Sequence, residues 1–172
     1  MSIQLTRILV IVGLLIGTSA FAQDEPGPCD PPTDKKILKL LADAEKAKDA
    51  ESRHHKLKEA LENDAECATC LYELGMSAYR IGKESGKGYD AAIRYFDQLE
   101  TKCPQFHSNV PYHMGIMHYA QDEFAEAAKA FEAFREFPTD DPTKLTKDYD
   151  KKYADVEAVI PELQFYVDFY KN

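Results

Sequence analysis

Apolar positions recur at helical spacing through most of the chain. From Asp34 onward, Ile37, Leu40, Leu41, Ala44 and Ala47 fall on one helical face. Thr33 or Asp34 is placed to cap that segment. A second segment runs through His54, Leu57, Ala60 and Leu61. A third runs through Leu71, Leu74, Gly75, Ala78 and Tyr79. Gly82, Gly86 and Gly88 then predict a loop. A fourth segment covers Tyr89, Ala92, Ile93, Phe96 and Leu99 and ends before Pro104. A fifth starts near Pro111, a residue suited to a first helical turn, and continues through Met114, Gly115, Met117 and His118. A sixth covers Phe124, Ala127, Ala128, Phe131 and Phe134 and ends before Pro138. No segment alternates with period two, so the expected fold is all α.

These segments come in self-similar pairs. Ala92-Ile93-Arg94-Tyr95-Phe96 aligns with Ala127-Ala128-Lys129-Ala130-Phe131, 35 residues later. Leu74-Gly75 aligns with Met114-Gly115, 40 residues later, and Leu40-Leu41 precedes Leu74-Gly75 by 34. Packing gives such a pattern its reason. A small residue in the first helix lets the second approach, a small residue in the second reciprocates, and a large apolar residue fills the remaining gap. The set Leu74, Gly75, Ala92, Phe96 and Pro104, and the set Met114, Gly115, Ala127, Phe131 and Pro138, resemble tetratricopeptide repeats, whose period is 34 residues. A first, degraded repeat keeps Leu40, Leu41, Leu57 and Ala60. The second carries extra residues around Lys83 to Gly88, and the third has Pro111 where a large apolar residue is usual. The resemblance implies an α-solenoid of about three helix pairs over residues 34–138.

Residues 139–172 are expected to cap the solenoid, because a terminal repeat otherwise exposes its apolar face. Asp140-Asp141-Pro142-Thr143 is a turn cluster. One capping helix is expected over 148–160, and Pro161 is expected to open another through Leu163, Phe165, Tyr166, Phe169 and Tyr170. The aromatic density of 165–170 also admits a second reading, as surface meant for a following domain or a partner. The cap is the favoured reading.

The start of the chain has a different pattern. Arg7 is followed by the apolar run Ile8 to Ile16, and Ala20-Phe21-Ala22 has the small-x-small form of a signal peptidase site. Spanning a bilayer takes about 20 apolar residues, more than this run supplies. Residues 1–22 are therefore expected to be a secretory signal peptide, cut before Gln23. No Cys follows the cut, so no lipid anchor is expected. Residues 23–33 hold four prolines and a Gly and read as an extended lead-in. Removing residues 1–22, which carry one Arg and no acid, leaves 150 residues and takes the net charge from −9 to −10. No second run of spanning length follows.

The stretch Tyr112 to Asn172 resembles the amino-terminal segment of Bacteroidota envelope proteins. The carrying residues are Tyr112-His113-Met114-Gly115, Phe131 to Pro138, Asp148-Tyr149-Asp150-Lys151-Lys152, and Phe165 to Asn172. Those proteins begin with a signal peptide and tetratricopeptide repeats, continue into a β-propeller, and end in an OmpA-like peptidoglycan-binding domain. Peptidoglycan binding does not carry over, because it belongs to that last domain, which the resemblance does not reach. The resemblance implies a periplasmic or outer-membrane-peripheral protein, with a link to type IX secretion or gliding machinery as an expectation. It also raises the expectation of a truncated copy of a longer envelope protein.

Charge narrows the partners. Nucleic-acid binders carry a basic stripe that releases counterions, and this chain is acidic. A length of 172 residues fits one domain better than a two-domain enzyme. Apolar residues at 44% supply a core, which excludes disorder throughout.

Four cysteines, Cys29, Cys67, Cys70 and Cys103, all follow the signal, and an even count in an oxidising compartment points to disulfides. Antiparallel pairing of the third and fourth helices brings Cys70 and Cys103 to one end, so Cys70–Cys103 is the expected bridge, with Cys29–Cys67 as the second. Cys67-Ala68-Thr69-Cys70 is also a CxxC. It follows no strand, and no His follows it, so thioredoxin-like and haem-attachment readings lack their context. Zinc wants a second pair or finger-spaced histidines, and none is present. His113 and His118 are five apart and fall on different helix faces. No catalytic residue, metal site or cofactor is expected.

What remains is a surface. The first helix of each repeat lines the concave face of such a solenoid. That places Thr69, Tyr72, Met76 and Tyr79, and then Asn109, Tyr112, Ile116 and Tyr119, on one partner-binding groove. Tyrosine is enriched at binding hot spots. The groove lacks the Lys/Asn set that clamps a terminal carboxylate in chaperone-binding relatives. A competing reading has the carboxy-terminal helices fill the groove. The expected function is a non-enzymatic scaffold or adaptor that binds envelope protein partners. The alternative is a periplasmic thiol-disulfide or metal-binding protein using Cys67 and Cys70.

Overall fold

A computed structural model describes residues 27, 29–86 and 88–171. The signal-peptide reading of residues 1–22 lies outside the described residues, as does much of the lead-in.

Among the described residues the chain forms helices only, as the spacing of apolar positions predicts. They are α1 (Lys35–Glu45), α2 (Ala50–Asn63), α3 (Ala68–Ser85), α4 (Asp90–Lys102), α5 (Asn109–Ala120), α6 (Phe124–Arg135) and α7 (Tyr149–Lys171), with a 3-10 turn at Pro142–Lys144 before the last. Caps explain several boundaries. The Asp34 carboxylate accepts from the backbone N–H of Lys36 at 2.7 Å and of Ile37 at 3.1 Å, satisfying two orphan donors of α1. Asp49 does the same for α2 through the Ser52 N–H, at 2.7 Å. None of the described helices is long and apolar enough to cross a membrane.

The helices pack in chain order: α1 on α2, α2 on α3, α3 on α4, α4 on α5, α5 on α6 and α6 on α7. The core is correspondingly a row of clusters. Ile37, Leu40, Ala60 and Cys70 form one at the α1 end. Ala44, Leu57 and Leu74 join the first two hairpins. Leu71, Phe96, Leu99, Val110 and Met117 form the middle. Phe131, Phe134, Val156 and Leu163 close the far end.

The same device packs the second and third hairpins. A Cβ placed on Gly75 would lie 2.5 Å from the Phe96 ring, and one on Gly115 would lie 2.5 Å from the Phe131 ring. Real Cβ atoms do not approach that closely, so each glycine is the space its phenylalanine occupies. This is the small-against-large pairing read from the repeat. In the first hairpin no such ring is present, and aliphatic residues fill the seam.

Two expectations are corrected. Gly82 is not in the loop; α3 continues to Ser85, and the turn uses Gly86 and Gly88, both at positive φ. Gly82 is needed because the returning chain crosses α3 there: a Cβ would lie 2.5 Å from the Gly88 carbonyl oxygen. The C-terminal element is one helix, not two, and Pro161 lies inside it. Val156, Val159, Ile160 and Leu163 form one stripe across the proline, packed in the cluster with α6. That burial holds the helix through the missing backbone donor.

The connection before α7 is tied to α5. Ser108 donates its N–H to the Lys144 carbonyl at 2.9 Å, and its Oγ accepts from the Thr146 N–H at 2.7 Å. Both polar residues are buried, and each satisfies the other.

Candidate functional site

α3 and α5 are the first helices of the second and third hairpins, and their side chains meet. The Asn109 amide donates to the Tyr72 hydroxyl at 2.8 Å. The Tyr72 ring rests 5.5 Å from Phe106 and 5.2 Å from His107, centre to centre. Two turns further on, Tyr79 stacks on Tyr89 at 5.7 Å and lies 4.4 Å from the His113 ring. Met76 and Ile116 are half-buried against the middle cluster. Thr69 stands apart, lining a cleft of about 360 Å³ between α1, α2 and α3. An Arg53–Glu73 ion pair at 3.4 Å also borders that cleft.

α7 reaches into this face at two points. Lys152 sits 4.8 Å above the Tyr112 ring, with its Nζ 3.4 Å from Asn109 Oδ1. Tyr112 also packs on Phe134 at 5.2 Å. Near the other end, the Tyr119 hydroxyl donates to Glu162 at 3.4 Å, and its ring meets Phe124 edge-on at 5.9 Å. The eight groove residues are therefore not one uniformly open surface. Tyr79 is only 9% exposed, Tyr72 and Tyr112 are half-buried, and Tyr119 stands in solvent.

The electrostatics follow from burial. Desolvation raises the phenol pKa of Tyr72, Tyr79 and Tyr112, and the Glu162 charge raises that of Tyr119, so all four stay neutral. Burial lowers Lys152 below the usual lysine value. His113, held between Tyr79 and Tyr112, is pushed down to about 4 by burial, with Lys152 and Arg80 adding to the effect. Its Nδ1 is buried without a hydrogen-bond partner. Such a ring is a neutral packing element at pH 7.

Sequence reasoning missed Lys152 and His113 as parts of this face. Lys152 is remote in sequence and reads as a solvated charge. Only the packing of α7 brings it onto Tyr112. His113 carries a weak signal, since it stands next to Tyr112 on the helix predicted to line the groove.

The cysteines all join disulfides, but the expected partners are wrong. The bonds are Cys29–Cys103 and Cys67–Cys70, with Cα separations of 5.3 and 5.2 Å. The ends of α3 and α4 do meet, as a Lys102–Glu66 ion pair beside them shows. Helical phase decides the pairing. Cys70 faces Ile37, Leu40 and Ala60, away from Cys103, which packs with Ala68 and Leu71. Cys70 instead meets Cys67, whose sulfur accepts the Cys70 N–H at 3.1 Å and caps α3. Cys29 then takes Cys103 and ties the lead-in to the end of α4. Cys67 is 5% and Cys70 0% exposed. Among the described residues, no three His, Cys, Asp or Glu side chains are grouped to hold a metal ion. No protein-family model, curated protein or solved structure matches this chain.

Proposed function

We propose that this protein is a tetratricopeptide-type α-solenoid that acts as a non-enzymatic scaffold or adaptor in the cell envelope. One observation supports it most: two successive hairpins use the same glycine–phenylalanine seam, and their first helices share one face. Repetition of that kind builds extended binding surfaces in solenoids. Two disulfides fit an oxidising compartment, hence the periplasm or the periphery of the outer membrane. A link to type IX secretion or gliding enters the proposal through the family resemblance alone. The usable part of the face runs from Met76 over Ile116 to Tyr119, between the buried rings.

The thiol-disulfide alternative gains a bonded CxxC at a helix start. It loses access, because exchange begins with attack on a sulfur that a thiolate can reach. Both cysteines are closed to solvent.

Photo-crosslinking residues at Met76 and Tyr119, introduced one at a time in cells, test the reading. The same envelope adduct from both positions, and none from Lys129 on the α6 surface, is the expected result. Adducts absent from both positions overturn it.

A further inference from the structure

Three large rings stand in solvent on the distal half of α7. Phe165, Phe169 and Tyr170 are 65%, 66% and 72% exposed. They form one array. Phe165 stacks along the helix on Phe169 at 6.2 Å, and Phe169 meets Tyr170 edge-on at 5.4 Å. Tyr170 and Tyr166 lie near-parallel to Phe124 on α6, at 6.2 and 4.6 Å. The aromatic surface thus continues from α7 onto the start of α6. Contiguous exposed apolar patches mark interaction sites, whereas single exposed rings do not.

An open cleft of about 270 Å³ lies beside the array. Its apolar walls are Phe124, Val167 and Tyr170, and its rim carries Asp122, Glu123 and Glu126. On the same half of α7, which has no base between Pro161 and Tyr170, Glu162 accepts from the Tyr119 hydroxyl and Asp168 accepts from the Gln164 amide. Glu123 is engaged by His118 at 2.6 Å, and the half-positive start of α6 opposes a bound cation. The full charges of Asp122 and Glu126, both on the cleft rim, outweigh that partial positive charge.

We propose that this face docks a basic segment of a partner protein. An Arg or Lys side chain enters the cleft, lies over the Phe124 and Tyr170 rings, and pairs with Asp122 and Glu126. Cations are attracted to aromatic faces, and Arg joins aromatics at interface hot spots. Charge selects this occupant over others. A second copy would bring the same acidic rim against itself, on a chain of net charge −9. An anionic lipid surface would be repelled for the same reason. The proposal does not rest on the α3–α5 face; the two meet only where Tyr119 touches Phe124 and Glu162.

Fluorescence anisotropy with a labelled peptide of alternating Arg and Gly tests it, using the full chain at low salt. The Arg peptide should bind, and its Glu counterpart should not. Phe169→Ser with Tyr170→Ser leaves the charge unchanged and should weaken binding about tenfold or more. Asp122→Asn with Glu126→Gln should weaken it and flatten its salt dependence. Met76→Ala should leave it unaltered. The rings are exposed, so the thermal melt of the double-serine variant should match that of the parent. Equal binding by the double-serine variant would overturn the proposal, reducing it to general attraction by an acidic chain. So would no binding, a loss caused by Met76→Ala, or self-association that the serine variant abolishes.

Discussion

Phe96 and Phe131 differ from Phe165 and Phe169 only in what lies opposite them. All four sit on helices with apolar residues at helical spacing. Phe96 and Phe131 each enter the space left by a glycine on the facing helix and are closed from solvent. Phe165 and Phe169 meet each other and the adjacent tyrosines of their own helix, and both stand in solvent. An aromatic ring is a core residue when a neighbouring element offers a gap of its size. Without that gap it is a surface. The middle hairpins therefore read as architecture, and the end of α7 reads as an interface.

The strongest way to break this contrast is to empty one seam. Phe96→Ala should lower stability by about 3–5 kcal/mol, seen as a shifted urea midpoint, because the fully buried ring leaves a cavity behind Gly75. Phe165→Ala should change it by less than about 0.5 kcal/mol. Comparable losses from the two would erase the distinction. A double-mutant cycle sharpens it: Gly75→Ala alone should be destabilising by about 1–3 kcal/mol, and Phe96→Leu should relieve part of that penalty.

The two disulfides offer a parallel test. Cys29–Cys103 joins residues 74 apart in sequence and Cys67–Cys70 residues three apart. In the chain-entropy account the first is worth about 4 kcal/mol and the second about half that. Replacing Cys29 and Cys103 by Ser should therefore lower the melting temperature more than replacing Cys67 and Cys70. The reverse order would show that the CxxC bridge matters chiefly by shaping the start of α3.

His113 gives a smaller, pH-dependent effect in the middle of the molecule. Its folded pKa, about 4, lies below the ordinary 6.5, so the unfolded chain takes up the proton first. Stability is complete above pH 6.5, falls as pH drops toward 4, and is insensitive to this group below that. The span corresponds to roughly 3 kcal/mol. His113→Phe should flatten the decline between pH 6.5 and 4 in denaturant titrations. Part of the slope should persist, since burial also lowers His54 and His107. An unchanged slope would place the acid sensitivity elsewhere.

Legibility varied with the range of the interaction. Asp34 is readable as a cap because capping is decided within three residues. The glycine–phenylalanine seam is readable because the pattern occurs twice at similar spacing. The disulfide pairing was not, since helical phase at Cys70 depends on which side α1 and α2 occupy. Gly82 reads as a loop residue from its type alone. Its place inside α3 depends on where the chain returns past it.

The exposed array on α7 shows the same division. Local spacing, capping and short turns were enough to locate the first six helices, pair them into hairpins and mark the aromatic density of 165–170. Packing between distant elements was needed for the rest. It carries α7 unbroken through Pro161, rests Lys152 on Tyr112, and leaves Phe165, Phe169 and Tyr170 in solvent. A sequence records that a ring is apolar. Whether another helix presents a gap for it depends on contacts between elements far apart in the chain.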